Sequence, residues 1–322
     1  MLKVAVLSGW HVHADGYAKE FASLADVKLT AMWDEDPERG NKFADKYGME
    51  FVPGLDALLT RGDVDAVSVT TPTDMHPEVL IASANAGKHI FTEKVLALTN
   101  QEAKKIKEAV VKSGKEFCIS FPHRTFPHNL YAKKIVEEGK LGKITLLRVR
   151  NAHGGVSSGW LPPHFLDKKS CGGGAMMDLG AHPMYLIYWL MGRPVEMSSA
   201  FTNVYDASVE DNAVSIMKFE NGAIAVSETS FVSDASPFSL ELYGTEGVLL
   251  IGHDGIWLKT KDHDGYVEKD VLPKPLSSPI TQFVGGILRG EKIHFGIDDA
   301  MGLTEMMDAA YRSYDESRHV KL

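Results

Sequence analysis

The sequence predicts an α/β fold in two parts: an N-terminal doubly wound parallel sheet, then an α+β domain with a large, mainly antiparallel open sheet. In the first part, short β-branched runs alternate with helix-like stretches, the pattern of right-handed βαβ units. In the second part, strand-like runs follow one another and are joined by turn dipeptides such as Asn221-Gly222 and Asp254-Gly255. We therefore expect domains at residues 1–121 and 122–322. The 322 residues are ample for two buried cores.

The elements of the first part follow from periodicity and from end signals. The best-defined helix has Thr99 and Glu102 at the spacing of a capping box, with Gly114 just past its end. The predicted strands are residues 4–7, 27–33, 66–69, 89–92 and 117–120, and the predicted helices are residues 14–24, 37–46, 76–86 and 99–113. Strands that alternate with helices in this way form a parallel sheet with both faces covered.

The second part opens with a helix at residues 129–138, which Gly139 ends. The pattern then indicates strands without intervening helices, at residues 144–150, 198–204, 213–219, 224–230, 239–243, 248–251 and 256–259. Two helices, at residues 280–288 and 298–317, close the chain.

Composition excludes several classes of function. The formal net charge is −9 with the basic residues scattered, so we expect no nucleic-acid partner. Cys118 and Cys171 are too few for a disulfide framework, which favours a reducing compartment. We find no apolar stretch of the roughly 18 residues that cross a bilayer and no secretory signal at the N-terminus. The expectation is a cytoplasmic protein without a membrane partner.

The turn after the first strand resembles a dinucleotide-binding fingerprint. Gly9 and Ala14 fit the first and third positions of G-x-G-x-x-G/A, but His11 stands where the second glycine belongs. Asp34 follows the second strand, at the distance from the turn where an acid binds both ribose hydroxyls and repels a 2′-phosphate. The alternative for Asp34 is a helix N-cap ahead of Pro37. The pattern favours NAD, with NADP second.

His11 and His13 invite a metal interpretation. They are two residues apart, so neither a helix nor a strand puts them on one face. We interpret them as loop histidines beside the phosphates and expect no metal.

Five segments together resemble the glucose–fructose oxidoreductase / inositol dehydrogenase / rhizopine-catabolism (Gfo/Idh/MocA) family. They span the whole chain, and their order and spacing carry the resemblance more than any single motif does. The segments are residues 71–76 (TPTDMH), 92–95 (TEKV), 172–182 (GGGAMMDLGAH), 241–247 (ELYGTEG) and 310–313 (AYRS).

The resemblance implies an NAD(P)-dependent dehydrogenase that moves a hydride between the nicotinamide and a secondary alcohol or ketone of a sugar, cyclitol or related polyol. Its catalytic residues would be Lys94, Asp178 and His182. The expected cofactor-binding residues are Gly9, Trp10, His11, Val12, His13, Asp34, Thr70, Thr71, Pro72, His76, Glu93 and Lys94. The expected substrate-binding residues are Lys94, His123, Arg124, Trp160, Asp178 and His182.

The chain departs from the family pattern at three positions. Val95 replaces a proline after Lys94, His11 replaces a glycine, and Tyr185 stands where an acid often follows the histidine. We assign His182 as the acid/base and Lys94 as its partner at the same oxygen, an order that the residues leave open.

Two other functions share these motifs: a glycosidase or lyase that oxidises its substrate only transiently on NAD, and a ligand sensor without catalysis. The resemblance also suggests a homodimer or homotetramer packed through the open sheet of the second domain. Apolar residues that alternate on two strands could form that surface or lie under the domain's own helices. They are Ile216, Phe219, Ile224 and Val226.

Overall fold

The structure, a computed structural model, describes residues 1–205, 207–234 and 238–322. These residues form two compact units. The first is Met1–Ser120 with Ser277–Thr304, and the second is Phe121–Leu276 with Glu305–Leu322. The first unit thus includes a segment from near the end of the chain that the boundary at 121 would assign to the second domain. That boundary stays a prediction.

The order of elements agrees with a sheet of βαβ units followed by a strand-rich unit. The strands are β1 Leu2–Leu7, β2 Val27–Trp33, β3 Glu50–Phe51, β4 Ala66–Val69, β5 His89–Thr92, β6 Phe117–Ile119, β7 Ile144–Ala152, β8 Glu196–Thr202, β9 Asn212–Lys218, β10 Ile224–Ser230, β11 Phe238–Gly244, β12 Val248–Gly252, β13 Gly255–Lys259, β14 Asp264–Tyr266 and β15 Val320–Lys321. The α-helices are α1 Ala14–Ser23, α2 Pro37–Tyr47, α3 Leu55–Leu59, α4 His76–Asn85, α5 Asn100–Ser113, α6 Pro127–Glu137, α7 Lys168–Cys171, α8 Ala181–Met191, α9 Pro279–Arg289 and α10 Ile297–Asp315.

The first unit is a doubly wound parallel sheet, which confirms the predicted fold class. Its strand order is β3-β2-β1-β4-β5-β6, and its pairings are parallel. The order reverses direction between β1 and β4. In open sheets of this kind, ligands bind outside the carboxyl ends of the strands at that point.

Helix α9 completes the core of the first unit, although it is far from β6 in the sequence. It packs against α1, β5 and β6. Its Phe283 ring lies 6.5 Å from Phe21 and 6.0 Å from Phe91, centroid to centroid, and all three rings are fully buried. The aromatic contact therefore joins the two ends of this unit's sequence.

The second unit is built on a nine-stranded mixed sheet with the order β14-β13-β12-β11-β7-β10-β9-β8-β15. The pairing of β10 with β7 is parallel, and the others are antiparallel. Helix α8 packs on β7 and β10. The predicted large, mainly antiparallel sheet is confirmed.

One prediction about this unit is wrong: helices α7 and α8 lie between β7 and β8, where strands alone were expected. Helix α8 has the sequence AHPMYLIYWLM, and most of its side chains are buried. A helix buried on nearly all sides lacks the one-sided apolar periodicity by which helices are identified. Among the described residues, no helix has the length and apolar character to span a bilayer.

Candidate active site

The loop between β1 and α1 is held by its neighbours at the carboxyl edge of the first sheet. Ser8 N donates to Trp33 O at 2.6 Å, and Thr70 Oγ1 donates to Ser8 O at 2.6 Å. His11 N in turn donates to Thr70 O at 3.2 Å. Thr70, predicted to bind the cofactor, is fully buried and ties this loop to the end of β4.

Glu93, just after β5, is the centre of a buried polar cluster. Its Oε1 receives a hydrogen bond from Tyr17 Oη at 2.6 Å, contacts His13 Nδ1, and lies 3.6 Å from His11 Nδ1. Its Oε2 accepts the backbone N–H of Lys94 at 2.6 Å. Tyr17 Oη is also 2.8 Å from Ser120 Oγ. One carboxylate therefore links the loop between β1 and α1, helix α1 and the Lys94 backbone.

The electrostatics of this cluster favour a charged carboxylate. Burial by itself would raise the pKa of Glu93, but the imidazoles of His11 and His13 outweigh it and hold that pKa well below its ordinary value. His11 is buried with Glu93, whereas the side chain of His13 is 46% exposed. The carboxylate therefore lies beneath the loop, in contact with one buried and one partly exposed imidazole.

The rings of His11 and His13 lie next to each other, although residues two apart do not share a face of a helix or of a strand. They lie in the turn before α1, where neither period applies, and their ring centroids are 4.6 Å apart. Their nitrogens and a Glu93 oxygen all lie within 4.8 Å of one another, as metal ligands do. Hydrogen bonds account for the group, since His13 N donates to His11 Nδ1 at 3.2 Å. The absence of a metal stays a prediction.

Asp34, predicted to bind the ribose, directly follows β2, and its side chain is fully buried. Its carboxylate accepts Gly9 N at 2.8 Å and both Nε and Nη2 of Arg39, at 3.0 and 2.5 Å. The N-cap of α2 is Asp36, which accepts Glu38 N and Arg39 N. Asp34 therefore holds the loop between β1 and α1, and it is not the cap of α2.

Two side chains hold the backbone on either side of Lys94. Besides the Glu93 contact with Lys94 N, the His76 ring hydrogen-bonds to Val95 O through Nδ1 at 2.8 Å. Burial lowers the pKa of His76, so the ring stays neutral. His76, predicted to bind the cofactor, is 1% exposed and has this inward contact. Lys94 itself is 5% exposed.

The other predicted cofactor-binding residues of the first unit differ in how far they are exposed to solvent. Thr71 and Pro72 are buried at the start of the segment that leads into α4. Gly9 and Trp10 are partly exposed, and Val12 is 48% exposed at the tip of the loop.

In the second unit, His182 lies on the first turn of α8 within a cluster of rings. Its ring stacks on that of His123 with centroids 4.3 Å apart and an interplanar angle of 18°. His182 Nδ1 lies 2.8 Å from Tyr185 Oη, and Tyr185 Oη also accepts His123 N at 3.1 Å. Tyr185 thus bridges two residues that were predicted to bind the substrate.

The structure places the remaining predicted residues of this unit as follows. Arg124 is 8% exposed, with its guanidinium carbon 5.0 Å from the centre of the Trp189 ring. Trp160 is 58% exposed and lies 4.6 Å from the His153 ring. Asp178 belongs to the turn before α8, and its N–H donates to Gly174 O. Asp178 therefore lies outside the helix that carries His182.

The glycine run 172–174 is packed, and two residues that sequence reasoning missed pack it. Glu210 Oε1 accepts Gly174 N at 2.8 Å, Met176 N at 3.0 Å and Tyr311 Oη at 2.6 Å. A Cβ on Gly174 would lie 2.1 Å from Glu210 O, and one on Gly173 would lie 1.8 Å from Tyr311 Oη. Glycine is required here because the backbone passes close to these groups.

Comparison with known proteins agrees with this architecture. The family model described as "Oxidoreductase family, NAD-binding Rossmann fold" matches residues 8–121, and the "GFO/IDH/MocA C-terminal domain" matches residues 129–250. The chain belongs to the Gfo/Idh/MocA family. It is an NAD-binding oxidoreductase of that family, and its predicted membership and cofactor are confirmed.

Three relatives illustrate the similarity to members of the Gfo/Idh/MocA family. Inositol 2-dehydrogenase of Rhizobium meliloti is 25% identical over 321 residues, 95% of each chain. D-glucoside 3-dehydrogenase of Escherichia coli is 28% identical over 248 residues, 71% of this chain and 70% of the relative. The crystal structure of GenD2 from gentamicin A biosynthesis, in complex with NAD, is 26% identical with a TM-score of 0.84 and covers 100% of this chain and 96% of that one.

The residues of the first unit fit the dinucleotide of this family. A Cβ on Gly9 would lie 3.1 Å from the Phe43 ring and 3.5 Å from Asp34 Oδ2, so the first glycine is needed where the backbone is close to its neighbours. Within the described chain, no side chain caps the N-terminus of α1, which suits a phosphate there. The His11 ring is accommodated at the second glycine position because it is buried towards Glu93.

Sequence reasoning also missed Tyr17 and Ser120 beside Glu93, and Arg39 beside Asp34. The Arg39 contact spans five residues and follows from the Asp-x-Asp-Pro-Glu-Arg segment. Tyr17 is 76 residues from Glu93, and no local signal links the two.

Proposed function

We propose that this chain is an NAD-dependent dehydrogenase of a sugar, cyclitol or related polyol, with Lys94 and His182 handling the proton. It would transfer a hydride between the nicotinamide and a secondary alcohol or ketone. The names of the relatives support the substrate class, since inositol 2-dehydrogenase and D-glucoside 3-dehydrogenase both act on polyhydroxylated rings.

The observation that carries the proposal is the fixed position of Lys94 after β5. Its backbone is held by Glu93 on one side, and the next carbonyl is held by His76 on the other. Ligands of doubly wound sheets bind at this carboxyl edge. A binding module that only senses a ligand would have no need of a lysine whose backbone is held on both sides.

The chemistry requires one proton transfer for each hydride transfer. The nicotinamide, when bound, supplies the site that accepts or returns the hydride. The chain must remove the hydroxyl proton and stabilise charge on the oxygen as the carbonyl forms. A lysine amine and an imidazole are the groups in this chain that we assign to these two tasks, and Asp178 is their neighbour in the family motif.

The test is a substrate screen with the purified protein and with the Lys94→Ala variant. NAD and NADP are each offered with sugars, inositols and their acid derivatives, and the absorbance of reduced nicotinamide is followed. We expect turnover with NAD on one class of polyol. We expect kcat/KM to fall by about 100-fold or more in Lys94→Ala, because a positioned proton acceptor contributes about that factor.

Lys112→Ala serves as the matched control because Lys112 is exposed on α5. NAD affinity is measured for all three proteins by calorimetry, so that lost chemistry is separated from lost binding. Binding of NAD without net reduction over the whole panel would contradict the dehydrogenase and favour a redox-neutral glycosidase or lyase. Failure to bind either nucleotide would overturn the roles of Gly9 and Asp34.

We further propose a homodimer or homotetramer in a reducing cytoplasm. Ile216 and Ile224 are 50% and 43% exposed on neighbouring strands of the second sheet, whereas Phe219 is buried. Exposed apolar residues on a sheet face are typical of a subunit interface. Cys118 and Cys171 are both buried and form no disulfide with each other, which supports a reducing compartment.

A further inference from the structure

We propose that Glu35 is the acid that accepts the 2′-hydroxyl of the adenosine ribose of NAD, while Asp34 holds Arg39 beside it. All three residues belong to the first unit. Nucleotide binding can be measured without any substrate, so this assignment does not depend on the proposed reaction. A protein that binds NAD but oxidises no polyol would leave it intact.

Four donors from the protein fill the carboxylate of Asp34. Its Oδ1 accepts Asp36 N at 2.8 Å and Arg39 Nη2 at 2.5 Å. Its Oδ2 accepts Gly9 N at 2.8 Å and Arg39 Nε at 3.0 Å. A carboxylate has about four lone-pair sites, and these donors occupy them. A ribose hydroxyl would therefore bind to Asp34 only after one of these donors had been displaced.

Asp36, the third acid of this segment, serves helix α2. Its Oδ1 accepts Glu38 N at 2.9 Å and Arg39 N at 3.2 Å, which makes it the N-cap of the helix. The first and third of three consecutive acids thus have their carboxylates engaged by the fold, and Glu35 lies between them.

Glu35 differs from both neighbours because one of its carboxylate oxygens is unsatisfied. Oε1 accepts Arg39 Nη2 at 2.5 Å, whereas Oε2 is buried and has no hydrogen-bond partner among the described residues. A buried acceptor without a donor is unfavourable, so a ligand hydroxyl that supplies the donor is bound with a gain. The Glu35 side chain is 22% exposed and that of Asp34 is 0% exposed, so Glu35 is the acid that a ligand can reach.

The electrostatics of the segment agree with this assignment. Burial raises the pKa of Glu35 above its ordinary value of 4.5, and the charge of Asp34 adds to that effect, although the Ser8 hydroxyl and Arg39 oppose it. The charged carboxylate is therefore incompletely stabilised in the free protein. A hydroxyl donor would stabilise it, whereas a 2′-phosphate would add another anion beside two acids.

The location of Glu35 indicates which part of NAD it would meet. It comes two residues after the end of β2, at the carboxyl edge of the sheet, and β2 is the neighbour of β1. In dinucleotide-binding sheets, an acid at this place binds the adenosine ribose. The 2′-hydroxyl is the group that carries the phosphate in NADP, so its acceptor determines both the affinity for NAD and the selectivity against NADP.

The test is a calorimetric titration of the full-length protein, without substrate, with NAD, with NADP and with the NAD analogue that contains 2′-deoxyadenosine. We expect the unmodified protein to bind the analogue about 30-fold more weakly than NAD, the effect of one lost hydrogen bond to a charged acceptor. Glu35→Leu should bind NAD and the analogue alike, within about twofold. Glu35→Gln keeps a neutral acceptor, so we expect a difference of about fivefold. Both variants should bind NADP more tightly than the unmodified protein does.

Glu38→Leu is the matched control, because Glu38 is an acid on α2 whose side chain is 79% exposed. It should keep the full difference between NAD and the analogue. If Glu35→Leu keeps that difference as well, Asp34 accepts the hydroxyl after Arg39 has moved, and the assignment to Glu35 is wrong. Equal binding of NAD and the analogue to the unmodified protein would overturn it too.

The unliganded protein supplies a second readout. Because Oε2 of Glu35 has no partner in the described part of the chain, we expect the urea midpoint of Glu35→Leu to equal or exceed that of the unmodified protein. Lower midpoints in both Glu35 variants would assign Glu35 to the fold and contradict a carboxylate oxygen kept for a ligand. If only Glu35→Leu fails to fold, the titration of Glu35→Gln decides.

Discussion

Glu93 shows how one buried side chain couples stability to pH in this molecule. Its folded-state pKa lies below the ordinary value of 4.5, because the pull of His11 and His13 exceeds the effect of burial. As the pH falls, the unfolded chain therefore takes up a proton at this carboxyl before the folded chain does. The stabilisation from Glu93 is complete above about pH 4.5 and is lost as the pH drops through the folded-state pKa.

We predict that Glu93→Gln lowers the free energy of unfolding at pH 7 by about 3 kcal/mol, because a buried charge pair loses one partner. The variant should also lose less stability on acidification than the unmodified protein. Urea unfolding at pH 7 and at pH 4 measures both effects. Glu78→Gln, a change of an exposed residue on α4, is the control. Parallel pH dependences in all three proteins would show that Glu93 is not the titrating group.

Asp34 is predicted to select the cofactor, whereas Asp36, two residues later, caps α2. We predict that Asp34→Asn lowers the ratio of NAD to NADP affinity about tenfold or more, because the charge that repels a 2′-phosphate is removed beside Arg39. Asp36→Asn should leave that ratio unchanged, since asparagine also caps helices well. Calorimetric titration with both nucleotides gives the ratio. Equal ratios in the two variants would refute a role of Asp34 in selectivity.

At the scale of elements, the glycine run 172–174 before α8 is held in place by close packing. The loop is fixed from behind by Glu210 and Tyr311, and it leads directly to Asp178 and His182. Its rigidity comes from contacts with distant segments, so the run is not a flexible linker.

We predict that Gly174→Ala destabilises the protein by about 2 kcal/mol and lowers kcat, because its Cβ would lie 2.1 Å from Glu210 O and the loop would have to move. In Gly265→Ala, on β14, the new Cβ meets nothing within 4 Å, and stability should change by less than about 0.5 kcal/mol. Thermal unfolding and steady-state kinetics distinguish the two. A Gly174→Ala variant as stable and active as the control would contradict the close packing.

Some elements could be predicted from the sequence because their signals are local. The Thr99–Glu102 capping box and the Gly114 C-cap are present as predicted, since each depends on a few neighbouring residues. The bounds of β2, directly before Asp34, are also as predicted from a local pattern. Helix α8 was missed because burial on nearly all sides removes its periodicity. The Glu93 cluster and the Glu210–Tyr311 contact depend on residues 76 and 101 positions apart, for which one sequence carries no signal.

At the scale of the whole molecule, the exposed apolar residues of the second sheet lead to a prediction about assembly. Ile216 pairs with Val226 across the β9–β10 ladder and is half exposed. If this face joins subunits, a charge there must be desolvated on association. The surface therefore predicts an oligomer that a single substitution can dissociate.

We expect analytical ultracentrifugation to show a dimer or tetramer for the unmodified protein and a monomer for Ile216→Lys. Val111→Lys, which places the same charge at a 63% exposed position on α5, should keep the mass of the unmodified protein. If the unmodified protein is a monomer, the predicted interface does not exist. If Ile216→Lys remains an oligomer, the interface lies elsewhere.

The return of residues 277–304 to the first unit sets an order of events during synthesis. Phe21 and Phe91 leave the ribosome well before the Phe283 ring that packs on them. The nucleotide-binding unit is therefore begun before the second unit, and it is completed only after residues 121–276 have been made. We expect a chain cut before residue 277 to fold incompletely in its cofactor-binding half, because it lacks the helix that covers these two rings.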